Sequence, residues 1–352
     1  MAIGLALASA SAGGPHAQAP PATSSELENP AGPELEQARR LAAGGRVEAA
    51  AAIYRRLLAA DPDSFDAHFE LGQILVTQQK LEEARQHLKT AAALKPDDEP
   101  AHVRLAQVAL MLDDMEGAER SLLDAKRIDP RDASVRYNLG RVYDRLGRSA
   151  DCLQEYLVFL ELSPQDPRAN NVRGRVGLLY ENTRDLEAAI RIYRELLAAD
   201  PSRAGARFAL AGIYYRRARY DEALPEYEEV LRLDPKNAAA HANIGSIHRI
   251  NGRIPEAIAQ FTQAVELDPA DVSSLYFLGS LQFDLGEIDK ALLTLKRLTE
   301  IDPEHPLAHY AIGKIYAKQG DREAAQREFD LHRRIQAEER RKEKTVTTME
   351  NN

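Results

Sequence analysis

Apolar and small residues recur along this chain in two alternating helical spacings. Set out in units of 34 residues, the packing positions are 4, 7, 8 and 11 in one stretch of each unit and 20, 24 and 27 in the next. Steps of three and four put each set on one face of a helix, so every unit predicts two helices facing each other. Position 7 is Leu, Ile or Val in eight units: Leu71, Leu105, Leu139, Val176, Leu210, Ile244, Leu278 and Ile312. Position 8 is Ala38, Gly72, Ala106, Gly140, Gly177, Ala211, Gly245, Gly279 or Gly313. Position 20 is Ala in every unit except one, where Cys152 stands. Position 24 is bulky throughout: Tyr54, Leu88, Leu122, Tyr156, Tyr193, Tyr227, Phe261, Leu295 and Phe329. Small residues at 8 and 20 let two backbones approach closely, and the bulky residue fills the space beside them.

Prolines mark the units. Pro62, Pro96, Pro130, Pro164, Pro201, Pro235, Pro269 and Pro303 are spaced by 34 residues with one gap of 37. That gap holds a second proline, Pro167, from which the 34-residue count resumes, so three residues are inserted in one connection. Proline cannot continue a helix, because its ring clashes and it lacks an N–H. Gly45, Gly147, Gly252, Gly286 and Gly320 fall at position 15, suited to the turn between the two helices. Pairs that cannot bury their apolar faces alone must stack on their neighbours. Together these residues closely resemble the tetratricopeptide repeat family over about residues 31–337. The resemblance implies an all-α, right-handed superhelical α-solenoid of about nine repeats, with no division into globular domains.

The ends depart from the repeat. Unit 1 has Gln37 at position 7 and reads as a cap. The last unit lacks a closing proline. Its second helix is expected to run on into a charged end at 338–352, frayed from Thr345, with Glu338 and Lys342 among its i, i+4 pairs. Residues 1–30 form a leader. Residues 1–12 are an Ala/Leu/Ser run with two Ala-x-Ala sites, followed by an Ala/Pro linker, like the apolar part and cleavage site of a secretory signal. No Lys or Arg precedes Arg39, so the positive n-region is missing. The protein is exported, to the periplasm or beyond, if this is a truncated signal peptide, and cytoplasmic otherwise.

Composition narrows the function. The net charge of −9 argues against general nucleic-acid binding. No apolar run of about 18 residues predicts a membrane span. One cysteine excludes an intrachain disulfide framework and a thiolate metal cluster; Cys152, at a small position, reads as a buried structural thiol. No phosphate loop, Gly-x-Ser-x-Gly elbow or His-Glu-x-x-His helix occurs. Asp98 and Glu99 read as a solvated loop. His305 and His309 have the spacing of a metal pair, but His309 shares position 4 with His68, His102 and His241, which favours packing over ligation. No cofactor is expected, and any catalysis is expected to lie in a partner.

The resemblance also implies where a partner would sit. In this family positions 2, 5, 6, 9, 12 and 13 of the first helices line the concave groove. Position 5 is aromatic at Phe69, Tyr137, Phe208, Tyr276 and Tyr310, and Tyr215 with Arg216 adds to the sixth repeat. Phe277 and Phe283 add to the eighth. Repeats 3 to 5 offer Arg104, Gln107, Asn138, Arg141, Arg145 and Arg175, whose guanidinium groups favour carboxylates. Asn138 and Arg175 match two positions of the family's carboxylate clamp. Val103, Gln107 and Asn171 depart from it, so only part of that clamp is present. Two functions compete. One is a non-enzymatic scaffold holding a protein or peptide, of acidic character, in the groove. The other is an assembly component of a cell-envelope or secretion complex acting through its ends or convex face. Oligomeric state is left open.

Overall fold

The computed structural model describes residues 32–350, and side chains to residue 342. The leader, with its proposed signal, lies outside the described residues. The chain divides after Arg131 into two compact units, a division that the unbroken register does not announce. Unit 1 contains α1 (Gly32–Ala43), α2 (Val47–Ala60), α3 (Phe65–Thr77), α4 (Leu81–Leu94), α5 (Glu99–Met111) and α6 (Met115–Ile128). Unit 2 contains α7 (Ala133–Arg145), α8 (Ser149–Leu162), α9 (Ala169–Asn182), α10 (Leu186–Ala199), α11 (Ala204–Arg216) and α12 (Tyr220–Leu233). It continues with α13 (Ala238–Ile250), α14 (Ile254–Leu267), α15 (Val272–Asp284), α16 (Ile288–Ile301), α17 (Pro306–Gln319) and α18 (Arg322–Glu350). Each odd-numbered helix pairs with the next as a hairpin, and within each unit each hairpin packs on its neighbour. The architecture is an all-α solenoid. The backbone of α18 stays helical through 345–350, the segment expected to fray.

The packing positions behave as their sizes dictate. The position-20 residues from Ala50 to Ala291 are fully buried, and Tyr54, Tyr193, Tyr227 and Phe261 are among the largest buried side chains. A β-carbon at Gly177 would lie 2.6 Å from the Tyr193 ring, and one at Gly72 would lie 2.6 Å from Leu88. Glycine at position 8 is therefore set by the bulk at position 24. The resulting core runs from hairpin to hairpin; one cluster joins Ala38, Tyr54, Leu71 and Leu88, and another joins Tyr193, Leu210, Tyr227 and Ile244.

The connections explain the Asp-Pro ladder. The N–H of Asp61 continues the helix by donating to the Leu57 carbonyl, 2.8 Å away. Its carboxylate then accepts from the Asp63 N–H at 3.2 Å, and Asp129, Asp200, Asp234, Asp268 and Asp302 repeat this turn. The next helix is often capped by a side chain: Asp98 on Ala101 N at 2.9 Å, Asn237 on Ala240 N at 2.9 Å, and His305 Nδ1 on Ala308 N at 3.1 Å. The expectation of a solvated loop at Asp98–Glu99 is thus corrected: Asp98 is a cap and Glu99 opens α5.

Position 15 is left-handed in every hairpin, including four that lack glycine: Gln79, Asp113, Arg184 and Ala218, the last at φ 56°. A β-carbon there costs roughly 1–2 kcal/mol. Ala218→Gly should therefore stabilise the α11–α12 hairpin by about 0.5–1 kcal/mol, after allowance for the extra freedom of the unfolded glycine. Slower amide exchange in α11 and α12 would register the gain; an unchanged or faster rate would refute it.

Candidate functional site

Within each unit the first helices of neighbouring hairpins approach one another. Helix α1 touches α3, α3 touches α5, and α15 touches α17. The register positions expected to line a groove differ in charge between the units. In unit 1 the cations Arg39 and Arg104 stand with Glu36, Asp66 and Glu70. Arg39 is held by Asp66 at 2.9 Å and Glu70 at 3.1 Å. In unit 2 the same positions carry Arg141, Arg145, Arg175, Arg216, Arg249, Lys314 and Lys318 against three carboxylates, Asp144, Glu181 and Asp284. A chain of net charge −9 thus concentrates positive charge on the first-helix face of one unit.

Several of the expected groove residues are engaged within the fold, Arg216 among them through Glu181 at 2.7 Å. In unit 1 the exposed Arg104 donates to Gln107 Oε1 at 2.9 Å, a surface bond on α5. In unit 2, Arg141 is exposed and its guanidinium lies 5.8 Å from the Tyr137 ring centre. Asn138 is half-buried beside it, and Arg145 is exposed at the end of α7. Arg175 differs from the expectation of a guanidinium available to a ligand. Its Nε donates to Asp144 Oδ1 at 2.9 Å, and its Nη2 bonds the same oxygen. Asp144 is one helical hairpin back in the sequence and satisfies it internally.

The three-residue insertion acts on this same place. After it comes Arg168, whose guanidinium lies 4.4 Å from the Tyr137 ring centre and 5.3 Å from that of Phe159. Asp166 fixes this arginine, accepting from Nε at 2.8 Å and Nη2 at 2.7 Å. Those bonds hold the Asp166 carboxyl down at about 2. Counted from Pro167, Arg168 is a connection residue like Arg131, and nothing in the repeat signals that it covers Tyr137.

The position-5 aromatics lean on the second helix of their own hairpin. Tyr137 lies 5.4 Å from Phe159, Phe208 lies 5.4 Å from Tyr227, and Tyr310 lies 5.8 Å from Phe329. Tyr276 packs 5.5 Å from Phe277, and Tyr215 packs 5.6 Å from Tyr220. Each of these five is half-buried except Tyr310, which is 46% exposed. They are both packing and surface: one side of the ring is spent, the other remains open.

Position 4 forms a recurrent tie. His68, His102, His241 and His309 face the carbonyl of the preceding connection proline through Nε2, at 2.9–3.3 Å. Through Nδ1, three of them meet position 23 of the second helix: His87 at 2.9 Å, Gln260 at 2.7 Å and Glu328 at 2.7 Å. Arginines do the same work in other repeats, as Arg136 with Glu155 at 2.9 Å and Arg207 with Glu226 at 2.8 Å. His305 and His309 are thus spent on a cap and a tie. Among the described residues no group of three His, Cys, Asp or Glu could hold a metal. Cys152 is buried, and burial, helped by Asp144 and opposed by Arg175, pushes its thiol up to about 12.

Among the described residues no helix is long and apolar enough to cross a membrane. Sequence models described as "Tetratricopeptide repeat" match residues 35–99, 75–137, 133–156, 177–238, 213–272, 248–315 and 307–331. No curated protein matches the chain. Among solved structures, the C-terminal part of a TPR repeat-containing protein from Cytophaga hutchinsonii is 15% identical with a TM-score of 0.55, over 69% of this chain and 99% of that one. MamA is 25% identical with a TM-score of 0.45, over 47% of this chain and 97% of that one. A tetratricopeptide repeat protein from Parabacteroides merdae is 20% identical with a TM-score of 0.45, over 67% of this chain and 93% of that one.

Proposed function

The chain belongs to the tetratricopeptide repeat family, and from that premise we propose a non-enzymatic scaffold that holds an acidic peptide segment of a protein partner on the first-helix face of unit 2. The observation that carries this reading is the excess of Arg and Lys at the groove positions of unit 2 in an otherwise acidic chain. Half-buried aromatics between those cations supply rigid contact area, and the charges steer and orient a carboxylate-rich segment. Arg141 and Lys314 are the cations to reverse. Arg175 is a poor test position, since a glutamate there would face Asp144 and disturb the fold.

A second reading rests on α18. Its exposed stretch from Glu338 to Lys342 extends past Ile335, which is buried at 4% exposure. Such an end could join an envelope or secretion assembly. Cutting at residue 331 would remove Ile335 and also His332, which bonds the Pro306 carbonyl at 2.8 Å. The truncation that spares the core therefore begins after Ala337.

Crosslinking pull-downs from the source organism, run with wild type, Arg141→Glu/Lys314→Glu and the truncation after Ala337, separate the two. The groove reading expects recovery of the partner to fall about tenfold in the charge variant and to hold in the truncation. The reverse pattern would sink it and transfer function to the C-terminal end. Sequencing the mature N-terminus in the same sample tests the proposed export: a start near Gly13 supports it and an intact Met1 refutes it.

A further inference from the structure

We propose that unit 2 contains an anchor pocket for one aromatic side chain of the acidic partner, at the place where repeat 5 lacks its own. A cavity of about 480 Å³ opens among α9, α10 and α11, lined by Gly174, Leu178, Tyr193, Leu196, Ala206 and Ala209. The inference rests on the groove reading above and names what that groove recognises.

The neighbouring repeats show what fits. In repeats 4, 6 and 9 an aromatic at position 5 packs on the bulky residues of its own second helix, as Phe208 does edge-on against Tyr227 at 5.4 Å. In repeat 5 that second-helix surface is Tyr193 and Leu196, and position 5 is Gly174. Repeats 1 and 3 carry the aliphatic Leu35 and Val103 there, and repeat 7 has Ala242, where Phe277 from the next repeat stacks on Phe261 at 5.5 Å and takes part of the place. The residue equivalent to Phe277 beside repeat 5 is Ala209. A cavity of about 330 Å³ remains beside Ala242 as well, but Asp268, Asp271, Ser273 and Ser274 line it, so of the two the one at repeat 5 is the more apolar.

Packing does not require the small residues. A β-carbon at Gly174 would meet nothing closer than Leu196 at 3.7 Å, and one at Gly205 would meet nothing within 4 Å. This contrasts with Gly177, one turn along the same helix, where Tyr193 forbids a side chain. A mid-helix glycine with open space above it costs stability and supplies none. The lining is apolar, and Leu178 is 47% exposed at its edge, as a ring-binding surface would be before its guest arrives. Arg203 on the rim is held by Asp200 at 2.9 Å and Asn171 at 3.0 Å. Arg141 in repeat 4 flanks the pocket along the sequence on one side; on the other, Arg216 in repeat 6 is engaged by Glu181 at 2.7 Å, so an acidic segment with a single ring beside the carboxylate that meets Arg141 complements both the charge and the hole.

An array of ten-residue Glu/Ser peptides differing only in one central residue tests the proposal. Wild type should bind peptides centred on Phe, Tyr or Trp about tenfold or more tighter than those centred on Ala. Gly174→Phe supplies the missing ring from within and should abolish that preference while melting no lower than wild type. Gly174→Ala, which leaves most of the cavity open, should keep it. An aliphatic centre binding as well as Phe, or the preference surviving in Gly174→Phe, would overturn the anchor. If binding ignores the central residue yet is lost in Arg141→Glu/Lys314→Glu, the groove reading stands and the anchor falls. If no peptide binds, both fall.

Discussion

Gly140→Leu should destabilise the α7–α8 hairpin by roughly 3 kcal/mol or more. A β-carbon at Gly140 would lie 2.4 Å from two ring carbons of Tyr156, and leucine adds three further carbons. Tyr156 has nowhere to retreat: it is 5% exposed, and Tyr137 packs 6.3 Å from it on the open side, itself covered by Arg168. The same change at Gly177 should cost a similar amount, because the Tyr193 ring stands 2.6 Å from a β-carbon there and its hydroxyl donates to Glu181 at 2.9 Å. Gly245→Ala should be milder than Gly140→Ala, since the Phe261 ring stands at 3.1 Å rather than 2.4 Å. Urea melts of the series would give the order, and hydrogen exchange would show the loss concentrated in α7, α8 and the adjacent α9, as nearest-neighbour coupling requires. Equal melts for the two alanine variants would mean that contact with position 24 does not set the residue at position 8.

Glu155→Ala should cost about 3–5 kcal/mol, the range for breaking a buried charge pair from one side. Glu155 is 3% exposed on α8, and its carboxylate accepts from Arg136 Nη1 at 2.9 Å. Without it, the Arg136 guanidinium stays in a poorly solvated place and loses this carboxylate. The double variant Arg136→Leu/Glu155→Leu removes both charges and should recover most of the loss. In repeat 6 the equivalent Glu226 is more exposed, at 26% of its side chain, so Glu226→Ala should cost clearly less. A Glu155→Ala melt within about 0.5 kcal/mol of wild type would show that the pair carries little of the stability.

Much of this was legible before any coordinates. Small residues at 8 and 20, bulk at 24 and a proline every 34 residues leave few other ways to bury apolar surface. The helix pairs follow those positions, with second helices beginning at position 17 throughout. Less visible were the effects of single side chains meeting across repeats. Arg175 reads as a free cation in sequence, and only the approach of α9 to α7 reveals Asp144 beside it. The position-4 histidines read as recurrent packing residues in sequence, and only the structure shows the proline carbonyls that meet them at 2.9–3.3 Å. The cavity left a trace that could have been read: among the repeats without a ring at position 5, which hold Leu35, Val103, Gly174 and Ala242, Gly174 is the smallest, and Ala209 stands where Phe277 does beside Ala242. A gap in a periodic pattern is as informative as the pattern, but its meaning depends on which neighbour could fill it.

The lone thiol gives the chain an internal clock. Cys152 takes the place that alanine holds in other repeats, it is buried, and it is held far from its reactive thiolate form. An alkylating reagent can reach it only when α7 and α8 part. The rate of a single covalent event, counted by mass, therefore records how often that hairpin opens in the unmodified full-length protein, with no dye, tag or engineered site to disturb it.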